Sequence, residues 1–219
     1  MRRLLLSIPL LMTLTAPAAA QSWSWETAVG VASEYRDRGY DLSAGRPSAY
    51  GEITAYHASG VYGGVWAADI ADYEGAEIEL TGYLGWAGTV GGWDVDVAVW
   101  QNVYPDGVDV DYVEFPLHIG RTFGPASVSA GAVWAPAQTG TGDDENLWIW
   151  TRMDWAPETW PVALHARVGH EDGGFAPDGK TDWLVGAEAP LARGFSLGLD
   201  WVDSDVEDGA VVAKLEWRR

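Results

Sequence analysis

The chain has 219 residues, 47% of them hydrophobic, with 14 Trp, no Cys, and 32 Asp and Glu against 13 Lys and Arg, a formal net charge of −19. A surface this acidic repels nucleic acid and attracts cations. The lack of Cys excludes disulfide staples, thiol catalysis and thiolate metal sites, and a composition this apolar and Trp-rich excludes a disordered chain.

The opening stretch MRRLLLSIPLLMTLTAPAAA reads as a secretory signal peptide. Arg2 and Arg3 precede an apolar run from Leu4 to Leu14, and Ala18, Ala19 and Ala20 supply a small-residue cleavage site. Residues 1–20 are expected to be removed in a bacterial exporter's periplasm, leaving 21–219 as one barrel domain and taking the charge from −19 to −21. No later stretch approaches the roughly 18 apolar residues of a spanning helix. A membrane location would therefore require a closed barrel of strands.

Apolar and polar residues then alternate with period two to the end of the chain, which predicts strands. In the first half these are Trp23–Tyr35, Ser48–Tyr56, Val61–Ala68, Glu77–Trp86, Trp93–Val103 and Val110–Phe123. In the second half they are Ser127–Trp134, Leu147–Trp155, Val162–His170, Asp182–Leu191, Phe195–Val202 and Val211–Trp217, making twelve. Most are near the roughly 9–11 residues of a tilted spanning strand. Short Gly- or Pro-bearing connections (57–60, 88–92, 124–126, 157–161, 192–194) alternate with longer ones (36–47, 69–76, 104–109, 135–146, 171–181, 203–210). Short periplasmic turns alternating with longer outer loops are the pattern of an outer-membrane barrel. The expected fold is all-β: a single antiparallel transmembrane barrel of about twelve strands.

EIELTGYLGW (Glu77–Trp86) puts Glu77, Glu79, Thr81 and Tyr83 on one face and Ile78, Leu80, Leu84 and Trp86 on the other. Aromatic placement argues that the apolar face is outside. Trp86, Trp93, Phe123, Trp155, Phe195 and Trp217 fall at strand ends by short turns or the C-terminus, and Trp134, Trp183 and Trp201 at the opposite ends. Two such rings are the interfacial girdles of a membrane barrel. The alternative is a secreted soluble sheet with a Trp-rich carbohydrate-binding face, because alternation alone does not say which face is inside.

Two segments carry a family resemblance. Ser33, Tyr35, Arg38 and Gly39, then Pro47, then Ser59, Gly60, Tyr62, Gly64 and Trp66 follow the pattern Ser-x-Tyr-x-x-Arg-Gly…Pro…Ser-Gly-x-Tyr-x-Gly-x-Trp. This resembles the start of the TorF-type porin family, also known as Gcw_chp, and YPDGVDVDYVEFPLHIG resembles a later stretch of it. The resemblance implies an outer-membrane barrel and suggests a pore, with no established substrate and no catalytic residues. One departure is the ending VVAKLEWRR, where Arg218 and Arg219 overhang the last aromatic, Trp217.

The inward parity is rich in acids. Candidate lumen-lining residues are Glu52, Glu77, Glu79, Asp94, Asp96, Glu114, Glu188 and Asp200, with Arg152 and Arg167 as bases. Such a lumen favours cations, unless the acids are spent pairing with Arg152 and Arg167. Inward Trp148 and Trp150 would narrow the passage or simply pack it. Loop acids such as Asp203, Asp205, Glu207 and Asp208 lack the spacing of a calcium loop, so neither metal nor cofactor is expected. No Ser is visibly partnered with His118, His165 or His170, so no enzyme is expected. The reading is an outer-membrane porin for passive diffusion of small solutes, cations among them. Its partners would be outer-membrane lipid, lipopolysaccharide and the barrel-assembly machinery. A non-conducting structural or surface-binding barrel is the alternative.

Overall fold

The computed structural model describes residues 22–219, so the signal-peptide expectation lies outside the described residues. Twelve strands form a closed antiparallel barrel. They are β1 (Trp23–Ala32), β4 (Ser48–His57), β5 (Val61–Tyr73), β6 (Ala76–Val90), β7 (Trp93–Val103), β8 (Tyr112–Phe123), β9 (Ala126–Ala135), β10 (Asn146–Trp155), β11 (Ala163–Gly173), β12 (Ala176–Pro190), β13 (Phe195–Ser204) and β14 (Ala210–Arg218). Two further strands, β2 (Arg36–Asp37) and β3 (Tyr40–Asp41), form a small hairpin of their own. Each barrel strand pairs with the next in sequence, and β1 closes the ring by pairing with both β4 and β14.

Cross-strand partners share a face, so the register fixes which side each residue takes. Leu84 opposes Val99, Val185 opposes Trp201 and Val29 opposes Trp217. These side chains point away from the barrel axis: Leu84 is 59% and Val185 58% exposed. Buried instead are Glu79, Glu114, Asp154, Glu171, Lys180, Asp182 and Asp200. A protein whose charges are inside and whose Val, Leu and Ile are outside fits a hydrocarbon solvent, and the soluble carbohydrate-binding alternative requires the reverse. In Glu77–Trp86 the leucine face is the outer one.

The nine girdle aromatics all lie on the outward parity. Trp217 opposes Phe195 and Val29, and Trp155 opposes Leu164. At the other end, Trp134 opposes Phe115 and Leu147, and Trp183 opposes Val168.

Three connections differ from expectation. Strands β5 and β6 run on to a tip at Glu74–Gly75, and β11 and β12 to one at Gly174–Phe175, each through a bulge. The expected loops 69–76 and 171–181 are therefore strand extensions beyond the level of Trp183 and Trp134, bent by the bulge. The third is the C-terminus. Arg218 belongs to β14, and Arg219 exchanges two backbone hydrogen bonds of 2.9 Å with Thr27. These residues complete the closing seam instead of overhanging it.

Candidate functional site

Ala32 and Ser48 are directly paired neighbours, so a two-residue turn would suffice to join β1 and β4. Residues 33–47 are far more chain than that connection needs, and they fold into the barrel. Ser33 stays on the rim, exchanging hydrogen bonds with Ala213 of β14. The chain then crosses the lumen as the β2–β3 hairpin.

The hairpin turn is Arg38–Gly39, with φ of 47° and 87°. Two consecutive positive φ values mark the type I′ turn, which suits Gly at its second position. Gly39 is needed for space as well: a Cβ there would lie 2.7 Å from Cβ of Ser204 and 3.0 Å from Cβ of Asp182. Arg38 has no such freedom, and the cost of its left-handed turn position is offset by the bonds its side chain makes.

That side chain reaches strands on the far side of the barrel from β1. One guanidinium nitrogen donates to both carboxylate oxygens of Glu114 on β8, at 2.8 and 3.0 Å. The other donates to Glu171 on β11 at 3.1 Å. Lys180 of β12, fully buried, donates to the Arg38 carbonyl and lies 2.6 Å from Glu171. Asn102 and Asn146 donate to the two glutamates, and the Trp148 ring lies under the guanidinium at 5.1 Å. Burial lowers the Arg38 pKa, but Glu114, Asp37 and Glu171 outweigh it and hold the group well above its ordinary value. Arg38 is thus a permanent cation bound at both ends of its fork.

The rest of the loop is tied by single hydrogen bonds. The Tyr35 hydroxyl, kept protonated by burial and by Glu79, donates to Glu79 at 3.0 Å. Tyr40 donates to the Phe175 carbonyl at 2.7 Å and Arg36 to the Asp208 carbonyl at 2.7 Å. Tyr104 also donates to Glu79, and with Ile70, Ala76 and Val110 it forms an apolar cluster against Tyr35. Together these groups occupy the lumen at the end of the barrel that carries the longer connections.

The two halves of the family pattern meet here, with the Tyr35 and Trp66 rings 5.5 Å apart. Ser59 and Gly60 make the β4–β5 turn, where the Ser59 carbonyl accepts from the Trp86 indole at 3.0 Å. Tyr62 donates to Asp96 at 2.7 Å, and Gly64 leaves room for the Tyr83 ring.

Among the candidate lumen residues, Glu79, Glu114 and Asp200 are buried, while Glu52, Asp94, Asp96, Arg152, Arg167 and Glu188 are half-buried and inward. Glu77 shares Glu79's parity but stands near the overhanging β5–β6 tip and is exposed, so it does not line the interior. The charges divide by wall. Every inward Arg or Lys of a barrel strand among the described residues lies on β10 to β14: Arg152, Arg167, Lys180, Lys214 and Arg218. There the acids other than Glu188 are paired with bases. Arg152 forks onto Asp154, Arg167 lies 3.0 Å from Asp182, and Asp200 sits 2.8 Å from both His165 and Lys214. Arg218 joins Glu26 to Glu216. Across the lumen the partners are hydroxyls, with Tyr83 donating to Glu52, Tyr62 to Asp96, Thr89 to Asp94, and Tyr35 and Tyr104 to Glu79.

Beneath the hairpin lies a cavity of about 700 Å³. Tyr35, Arg36 and Trp66 border its inner end, Arg167 and Asp200 its middle, and the β12–β13 turn its mouth. Trp148 and Trp150 pack rather than line it, Trp148 between the guanidiniums of Arg38 and Arg167 and Trp150 against His118.

Sequence reasoning missed Glu171, Lys180 and Asp182 as inward groups by placing the first two in a loop. The alternation Lys180, Asp182, Leu184 was the signal available.

Residues 16–217 match the family model described as a bacterial protein of unknown function, Gcw_chp. Among curated proteins, none matches the chain. Among solved structures it is similar to the KdgM porin, with a TM-score of 0.64 at 6% identity over 88% of this chain and 98% of that one. It is also similar to an outer membrane channel from Pseudomonas putida F1, with a TM-score of 0.51 at 11% identity over 94% and 99%. At these identities the likeness is one of fold.

Proposed function

The chain belongs to the Gcw_chp family of bacterial proteins of unknown function, and on that premise we propose that it is an outer-membrane porin for passive diffusion of small solutes, with a preference for cations. It would reach the outer membrane by export and insertion through the barrel-assembly machinery. Its neighbours there are lipid and lipopolysaccharide, and it carries out no catalytic step.

The observation that carries the cation preference is the one-sided pairing of lumen charge. On the β10–β14 wall every inward carboxylate but Glu188 has a base beside it, and the net field there is small. On the β4–β7 wall Glu52, Asp94 and Asp96 are partnered only by hydroxyls, which leave their charge in place. A narrow lumen with one uncompensated acidic wall concentrates cations and excludes anions.

The test is the reversal potential of the refolded chain in a planar bilayer under a KCl gradient. A cation-selective potential is expected, and anion selectivity would overturn the electrostatic argument while leaving a pore. A second reading, the non-conducting barrel, is favoured by the hairpin across the outer lumen. Silence from a folded, inserted barrel would select it.

A further inference from the structure

We infer that the first loop is the size-selecting gate of this barrel, and that Arg38 is its latch. The inference rests on the pore reading above.

The geometry has three parts. The loop is unnecessary for connecting β1 to β4, whose ends are already paired. Its hairpin traverses the lumen and engages β6, β8, β11 and β12, so a solute must pass it whichever wall it follows. Its attachment is also concentrated. One guanidinium holds two strands, β8 and β11, that are separated around the ring by β9 and β10.

The attachment is of a kind that can release as a unit. The hairpin's own backbone pairing is short: Arg36 with Asp41 and Asp37 with Tyr40, extended by one bond from the Leu42 N–H to the Tyr35 carbonyl at 2.9 Å. Apart from one backbone bond, from the Ala71 N–H of β5 to the Leu42 carbonyl at 2.7 Å, its contacts to the wall are side-chain bonds, not a sheet ladder. Barrel strands can therefore stay fully paired while the hairpin leaves. The type I′ turn puts the non-Gly residue Arg38 at a φ of 47°, an unfavourable left-handed conformation whose cost the bonds of the fork offset, so losing the fork leaves that cost uncompensated. The cavity beneath, bordered by Tyr35 and Trp66, is the space that becomes continuous with the outside when the hairpin moves.

Two variants test this. In the first, residues 34–46 are replaced by Gly-Asn-Gly, which suffices to join the paired ends of β1 and β4 and leaves Glu114 and Glu171 facing water. The second is Arg38→Met. Both are refolded beside the natural sequence, checked for heat-modifiable migration, and measured for single-channel conductance and for the largest polyethylene glycol that enters the pore. The expected result is a severalfold higher conductance and a larger size limit for the loop replacement, with Arg38→Met giving frequent transitions between the two levels. A natural chain that conducts with the same conductance and size limit as the folded loop replacement would overturn the gate and leave the pore intact. A silent natural chain beside a conducting loop replacement would support the gate and overturn the passive pore. Two folded but silent barrels would overturn both. If Arg38→Met fails to fold, the loop replacement decides alone.

Discussion

The Arg38–Glu114 pair should behave as one energetic unit. Arg38 is 7% exposed and Glu114 2%. Replacing Arg38 by Met keeps the bulk over Trp148 but strands a carboxylate. Of the two acids Arg38 holds, Glu171 keeps Lys180 and Asn146, whereas Glu114 keeps only Asn102 at 3.3 Å. Breaking a buried pair from one side costs about 3–5 kcal/mol, and with one stranded acid the expected loss is about 3 kcal/mol. Glu114→Gln should cost about 1–2 kcal/mol, because Arg38 retains Glu171 and Asp37. The double variant leaves no unpaired charge at position 114 and should be little worse than Glu114→Gln alone. That is a coupling of about 2.5–3 kcal/mol, roughly a hundredfold in the folding equilibrium. Urea unfolding in lipid vesicles, followed by Trp fluorescence, measures all four corners. A loss below about 0.5 kcal/mol for Arg38→Met with no coupling would refute the buried fork and put the loop in water.

On the outer face, Leu84→Arg should lower stability or block insertion by about 2–4 kcal/mol, the cost of Arg near the bilayer midplane, as read from the same unfolding curves. Glu52→Gln combined with Asp96→Asn should fold normally and shift the reversal potential toward non-selectivity, whereas Asp154→Asn on the compensated wall should shift it less. Gly39→Val meets both the positive φ and the 2.7 Å approach to Ser204, and it should raise conductance without loss of barrel strands by circular dichroism. Deleting Arg218 and Arg219 removes two backbone hydrogen bonds and the bridge to Glu26. It should destabilise the β1–β14 seam by about 1–3 kcal/mol, seen as a lower temperature for the loss of heat-modifiable migration.

Much of the barrel was legible because alternation is a local property. Whether Leu84 and Glu79 lie on opposite faces depends only on their spacing, and the Trp positions at strand ends tell which face meets the lipid interface. The strand count followed from the same pattern. Loop boundaries were less legible at 69–76 and 171–181. Gly, Asp and Glu there weaken the alternation, and pairing with the neighbouring strand, which no single segment encodes, carries the ladder on to the tip.

By itself, then, the sequence determined a twelve-stranded antiparallel barrel and the separation of its strands into an apolar face and a polar one. It also marked Arg38 and Gly39 as notable without a reason. Only the tertiary structure decided that their loop turns inward and that most acids of one wall meet bases while Glu52, Asp94 and Asp96 of the other meet hydroxyls. Those outcomes depend on which side chains meet across the lumen: Arg38 with Glu114, 76 residues away, and with Glu171, 133 residues away. Such meetings are set by closure of the ring and the register around it, not by any periodicity along the chain.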